Sequence, residues 1–278
     1  MITPNLLYHY TSIESLSYIL SNRNIKFNRL DKVDDIQDGR SKDISSIGKF
    51  YFISSWTDLS EESLPFWNMY TPDMQGVRIA MKKFPFNYYV NRKNGLIKIK
   101  HETTTKDRKI RHLMPFKIDP FNSIFKNDVG KMNLYFNPND KFLSGIEYLS
   151  NCELEKIYYF PVGASIGVAP NKIGSYKLNI WNFQNEWRYK IIFLPKTLFL
   201  VEENKINELV PNWIDKIENE SILTQELYLD IEEEAFKNMI IRLGPKTSKS
   251  DRILVESLIY RYGRNIKIEE SSLKGLIR

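Results

Sequence analysis

Several short stretches of this chain alternate between apolar and polar positions with the two-residue period of a half-buried strand. In "GVRIAMKK" Val77, Ile79 and Met81 fall on alternate positions. "FYFISSWT" is rich in aromatic and β-branched residues and reads as a strand leading into Ser54 and Ser55. "NEWRYKIIFL" is the strongest strand pattern, with Glu186 near its start. "NLLYHY" reads as a short strand that places His9 near its C-terminal end. Thr11 and Glu14 then have the spacing of a capping box, and Ile13, Leu16, Ile19 and Leu20 share one helical face, so the spacing predicts a helix beginning right after Tyr10. "NIKFN" predicts a strand and "LDKVDDIQDG" a loop. "SEESLPFWNMYT" predicts a helix with Pro65 in or near its first turn, ending before Pro72. "LEKIYYFPVGASIGV" is a further strand candidate, "MIIRLGPKTSKSDRILVESLIYRYG" predicts strand, turn and helix, and "NIKIEES" a last strand. The result is an α+β pattern, without the regular alternation of a doubly wound parallel sheet.

No repeat of fixed period and no Gly/Ser- or Pro-rich linker divides the 278 residues, so a single domain over 1–278 is expected, with a turn-rich basic insertion at about 84–151. A hydrophobic content of 42% is enough for a substantial core. The net charge of +6 is unevenly spread. Lys82 to Lys117 holds 11 Lys/Arg against 2 Asp/Glu, whereas Glu202 to Glu234 holds 11 Asp/Glu against 2 Lys/Arg. The first stretch is a solvated segment or an attractor of phosphates; the second is a solvated helix face or a surface for a regulatory partner. The single cysteine, Cys152, leaves no intramolecular disulfide. With no signal peptide and no membrane span legible, a cytoplasmic protein is expected.

Familiar catalytic signatures are missing. "GPKTSKS" lacks the P-loop spacing, and Ser248 or Ser250 reads instead as a helix cap. His101 and His112 lack paired metal-ligand spacing, and no metal is expected. What remains is a set of polar anchors near strand ends: His9, the Ser54/Ser55 to Tyr70 region, and Glu186. Each also has a structural explanation. His9 would be a satisfied boundary histidine, Tyr70 a core aromatic with its hydroxyl bonded, and Glu186 the partner of Arg188 or Lys190.

Taken together, "LYHYT" before a capped helix, "FYFISSWT…FWNMYT…GVRIAM" and "NEWRYKI" resemble the three motif blocks of the ADP-ribosyltransferase superfamily. The resemblance is to its His-Tyr-Glu branch, which includes the poly(ADP-ribose) polymerases and the DNA-modifying DarT toxins. The same blocks, with "IIRLGPKTS" and "IEESSL", are similar over nearly the whole chain to a widespread bacterial family known mainly as a domain of unknown function. The resemblance implies a mixed, mainly antiparallel split β-sheet core with flanking helices, and NAD as substrate. It implies that His9 bonds the nicotinamide ribose, with Tyr10 and Thr11 beside it, that Tyr70 stacks on the nicotinamide, and that Glu186 bonds the ribose 2′-hydroxyl. Ser54, Ser55 and Trp67 would complete the NAD site. "QNE" (residues 184–186) and the Ser54/Ser55 pair also resemble the superfamily's other branch, which carries Arg where this chain has His9 and which would set Gln184 and Arg188 at the acceptor. Trp56, Trp67 and Tyr51 are further stacking candidates.

The implied activity is transfer of ADP-ribose from NAD to a protein or nucleic acid, in a toxin or anti-phage effector by analogy. The basic stretch 82–117 is the expected contact for a nucleic-acid acceptor. Two alternatives stay open. One is a nucleotide- or nucleic-acid-binding module of the same fold, with Phe84, Phe86, Tyr88 and Tyr89 stacking bases beside Lys82, Lys83 and Arg92. The other is an NAD glycohydrolase, in which water takes the acceptor's place.

Overall fold

A computed structural model of the chain describes residues 5–38, 46–92, 95–99, 113–114, 132–135, 142–151, 160–162, 165–167, 172–195, 218–219 and 224–277. Ten strands form one α+β sheet. They are β1 (Leu6–Thr11), β2 (Asn24–Arg29), β3 (Tyr51–Thr57), β4 (Val77–Lys82), β5 (Met132–Tyr135), β6 (Leu143–Gly145), β7 (Glu186–Pro195), β8 (Glu226–Asp230), β9 (Ile240–Leu243) and β10 (Lys267–Glu269). The order is β8-β2-β3-β1-β4-β9-β10, with β7 against β3 and with β5 and β6 against β7. Every pairing in this sheet is antiparallel except β9 with β10. Helices α1 (Ile13–Asn22), α2 (Leu64–Tyr70), α3 (Glu233–Lys237) and α4 (Lys249–Tyr262) flank it. No helix of the described residues is long and apolar enough to cross a membrane.

The feature that positions the site is a division of the sheet at β3. Along one edge β3 pairs continuously with β7, from Glu186 opposite Thr57 to Ile192 opposite Tyr51. Its other edge is shared. β2 meets it at Phe52 and Ile53, and β1 meets it only at Thr57. Ser54, Ser55 and Trp56 therefore lack a strand partner on that edge, and the sheet splits there.

Residues opposite one another across a strand pair share a face. Trp187, Tyr189, Ile191 and Phe193 of β7 thus lie with Trp56 and Phe52 on the face that builds the main core with α1 and α4. The intervening Glu186, Arg188 and Lys190 lie on the other face with Ser55, and all three are buried. On that same side Tyr10 packs on Phe66 and Trp67 of α2.

The expected strand over "NLLYHY" is β1, but the cap of the following helix differs from the expectation. Thr11 ends the strand, and the N-cap is Ser12, whose hydroxyl accepts from the Ser15 amide at 3.0 Å. Thr11 keeps extended backbone because β1 still pairs with β4 there, opposite Val77. Gly76, next to this pairing, has no room for a side chain: a Cβ would lie 2.3 Å from the Thr11 carbonyl oxygen. Helix α2 starts with Pro65 in its first turn, and Ser248 caps α4 in a full capping box with Asp251, both as the sequence indicates.

Two stretches differ from expectation. Part of 84–151 belongs to the core, because Phe86, Tyr88 and Phe142 are buried in it and β5 and β6 join the main sheet. Burial removes Phe86 and Tyr88 as base-stacking platforms, and Phe84 instead carries Lys83 over its ring at 5.3 Å. Tyr88–Arg92, Gly95–Ile99 and Leu113–Met114 form a separate three-stranded sheet. In the acidic stretch, residues 226–230 are a strand and no helix, because Leu227 and Leu229 alternate with polar residues and point into the core. His101, His112, Cys152, residues 202–217 and half of the basic stretch 82–117 lie outside the described residues.

Assigning the α1 cap to Ser12 has a measurable consequence. Ser12→Ala should lower stability by about 1 kcal/mol in urea unfolding, whereas Glu14→Ala should leave the midpoint nearly unchanged. A larger loss from Glu14→Ala would return the cap to Thr11.

Candidate functional site

The split opens onto a cavity of about 820 Å³, within the range of small-molecule and cofactor sites. It is bordered by His9 of β1, Trp56 of β3, Tyr70 at the end of α2, Gln184 and Glu186 at the entry to β7, and Arg188. Tyr10, Thr11, Ser54 and Ser55 border it as well. Of the residues expected in the site, Trp67 is apart. It is fully buried against Tyr10, with its indole N–H donated to Glu62 at 3.2 Å. Tyr51 is likewise buried and away from the cavity, which leaves Trp56 and Tyr70 as the stacking candidates that reach it.

His9 sits where the ladder is missing. Its Nδ1 lies 2.9 Å from the Ser55 carbonyl oxygen, a group that strand pairing would otherwise satisfy. A carbonyl only accepts, so Nδ1 carries the proton and Nε2 of the neutral ring is left as an acceptor. Burial holds this imidazole below its ordinary value of 6.5, against the opposing pull of the Ser55 hydrogen bond, and so favours that neutral form. The ring rests against Trp56 at 5.1 Å, and the Trp56 indole N–H is donated to Ser54 Oγ at 3.0 Å. Ser54 thus serves to fix Trp56, while Ser55 is exposed beside the cleft.

Glu186 begins β7 directly after Asn185, whose left-handed backbone (φ 38°) turns the chain from a 3-10 segment into the strand. Asparagine tolerates that conformation better than most residues. The Glu186 carboxylate receives Arg188 Nε at 2.5 Å and Lys177 Nζ at 2.8 Å. Arg188 also makes a two-pronged pair with Asp38 and donates to the Gly174 carbonyl at 3.1 Å. Gly174 presents that carbonyl with φ +68°, and a Cβ there would meet Leu30 at 2.7 Å. Burial alone would raise the Glu186 carboxyl, but the charges and hydrogen bonds of Arg188 and Lys177 outweigh it and hold it at about 2. For Asp38 burial wins over Arg188 and pushes the carboxyl above its ordinary value. The buried set Arg188, Lys177, Glu186 and Asp38 is balanced in charge.

From Lys177 the network continues to the cavity wall. Lys177 donates to Gln184 Oε1 at 2.9 Å, and Gln184 Nε2 donates to the Tyr70 hydroxyl at 2.8 Å. Gln184 and Arg188, expected at the acceptor, are both buried and bonded to the residues around Glu186. Tyr148 supports the same point by accepting the Glu186 amide at 2.8 Å. Asp38, Lys177 and Tyr148 are the site residues that the sequence expectations lack. Among the described residues no group of three or more His, Cys, Asp or Glu stands where it could hold a metal ion.

The chain matches no protein-family model, no curated protein and no solved structure.

Two outcomes test this electrostatic arrangement. Asp38→Ala leaves one positive charge of the buried set uncompensated and should cost about 3–5 kcal/mol, whereas Lys82→Ala, which breaks an exposed pair with Glu232, should cost about 1 kcal/mol or less, as for surface pairs. The Glu186 carboxyl lies lower in the folded protein than in the unfolded chain, so its contribution is present above the ordinary value of 4.5 and is lost as pH falls toward about 2. Denaturant midpoints should therefore fall across that acid range, and less steeply in Glu186→Gln; equal slopes would contradict the depressed carboxyl.

Proposed function

We propose that the protein is an NAD-dependent ADP-ribosyltransferase with an ADP-ribosyltransferase-like fold, and that the cavity at the split of the sheet is its NAD site. One observation carries the reading: His9, Tyr70 and Glu186, contributed by β1, α2 and β7, border a single cavity. The split antiparallel sheet supports the same reading.

The chemistry fits these groups. When the bond between nicotinamide nitrogen and ribose C1′ breaks, its electron pair leaves with nicotinamide and positive charge develops on the sugar. Glu186, held ionised and shielded from bulk water, stabilises that charge where the dielectric is low. Neutral His9 accepts a hydrogen bond from a ribose hydroxyl through Nε2. The nucleophile of a macromolecular acceptor then bonds to C1′ and gives up its proton to solvent. The acceptor is a protein or a nucleic acid, and the setting is a cytoplasmic toxin or anti-phage effector.

A second reading has an observation of its own. Both Glu186 oxygens already receive cationic donors, Arg188 Nε on one and Lys177 Nζ on the other. A carboxylate neutralised in this way suits a nucleotide-binding module that leaves NAD intact.

Incubating the protein with NAD and following nicotinamide by chromatography, with and without RNA, DNA and protein, separates the readings. Release should fall about 100-fold or more in Glu186→Gln, and His9→Ala should raise KM. Transfer of label to one added fraction names the acceptor, and free ADP-ribose alone makes the protein a glycohydrolase. Binding of NAD without release favours the second reading, and release unaffected by either substitution would sink the site assignment.

A further inference from the structure

We propose that Tyr70 acts on NAD as a hydrogen-bond donor through its hydroxyl, directed at the nicotinamide-ribose hydroxyl that the family resemblance already assigns to Glu186. This rests on the cavity being an NAD site and assigns Tyr70 a task other than stacking.

The direction of each hydrogen bond is set by chemistry, beginning at Lys177. An ammonium has donors and no acceptor, so the Gln184 atom 2.9 Å from Lys177 Nζ must be the carbonyl oxygen Oε1. The Gln184 amide cannot be turned over without setting its NH2 against the ammonium. Nε2 therefore faces Tyr70 and donates to its oxygen at 2.8 Å. An amide NH2 does not accept, so the Tyr70 proton is not directed at Gln184. Among the described residues the Tyr70 hydroxyl has no other hydrogen-bond partner, and Tyr70 borders the cavity. Burial and the nearby Glu186 charge keep the phenol protonated. Its ring leans on Phe66 at 5.5 Å, which helps to fix where the hydroxyl stands.

Glu186 supplies the complementary half. Its ionised carboxylate is acceptor only. Lys177 touches both branches, Glu186 Oε2 at 2.8 Å and Gln184 Oε1 at 2.9 Å, so one ammonium sets the acceptor and, through Gln184, the donor. A sugar hydroxyl both accepts and donates, and so satisfies a donor and an acceptor together. A carbonyl oxygen would meet only the first of these and an amide N–H only the second.

The test measures Kd for NAD and for its 2′-deoxy and 3′-deoxy analogues at the nicotinamide ribose, in the wild type, Tyr70→Phe, Tyr70→Leu and Gln184→Glu. The wild type should prefer NAD over one analogue by about tenfold. Tyr70→Phe keeps the ring and should lose most of that preference. Gln184→Glu replaces the donating amide by a carboxylate that takes the Tyr70 proton, and should behave like Tyr70→Phe. Thermal midpoints of the variants separate this effect from unfolding. Equal affinity of the wild type for NAD and both analogues overturns the proposal, as does a Tyr70→Phe variant that discriminates like the wild type while Tyr70→Leu does not. NAD that is bound with discrimination but never cleaved removes the transferase reading and leaves this one standing. Absence of NAD binding overturns both.

Discussion

A guanidinium with almost no access to water is the constraint around which this structure is arranged. Arg188 is 1% exposed, and a buried charge without partners is among the most costly features a fold can carry. Its partners come from three places in the chain: Asp38 after β2, the carbonyl of Gly174 before β7, and Glu186 within β7 itself. Satisfying Arg188 therefore draws the loop after β2 and the segment before β7 onto the same face of the sheet. Glu186 gains its position and its ionised state from the same pairing. Replacing this set with apolar side chains of equal volume could yield a protein no less stable, since buried ion pairs seldom contribute much net stability. What would be lost is a fixed carboxylate beside a cavity.

The split at β3 contributes the other half. Where β1 and β2 diverge, the Ser55 carbonyl has no strand partner on that edge. The imidazole of His9 meets the exposed carbonyl, and in doing so its tautomer is set. One residue thus closes a defect in the ladder and keeps Nε2 of the neutral ring as an acceptor. The cavity and the defect have a common origin, which is why His9, Trp56 and Ser55 meet at the unpaired edge of β3.

Much of this was legible in the sequence, for identifiable reasons. Alternation in "GVRIAMKK" and "NEWRYKIIFL" marks β4 and β7, because opposite faces of those strands meet different surroundings. His9, Tyr70 and Glu186 could be picked out because each stands near the end of a recognisable element. Asp38 had no local sign of its role: it pairs with a residue 150 positions away and sits in a loop with other acids. Lys177 was similarly silent, since its importance comes from what Glu186 and Gln184 require. Trp67 was misplaced because helical position alone cannot say which side of α2 meets Tyr10. Thr11 and Ser12 are adjacent hydroxyls, and only the extent of β1–β4 pairing decides which one caps α1. The strand at 226–230 was hidden by the charge of its neighbours, although the Leu227 and Leu229 alternation was present.

The C-terminal region extends the same logic beyond the cavity. Glu62 lies just before α2, and its carboxylate receives Ser271 Oγ at 2.6 Å, the Ser272 amide at 2.6 Å, Arg242 at 3.2 Å and the Trp67 indole at 3.2 Å. Those hydrogen bonds hold its carboxyl below the ordinary range even though burial works against them. Glu62 thereby ties β9 and the segment after β10 to the helix whose last residue is Tyr70. The wall that carries Tyr70 is braced from one side by Glu62 and from the other by Gln184, and both braces are polar groups with several partners. Such networks are directional, so they set where a hydroxyl stands more closely than apolar packing would. The closing strand and the residues after it, far from the cavity in sequence, belong to the structure that gives the Tyr70 hydroxyl a defined place.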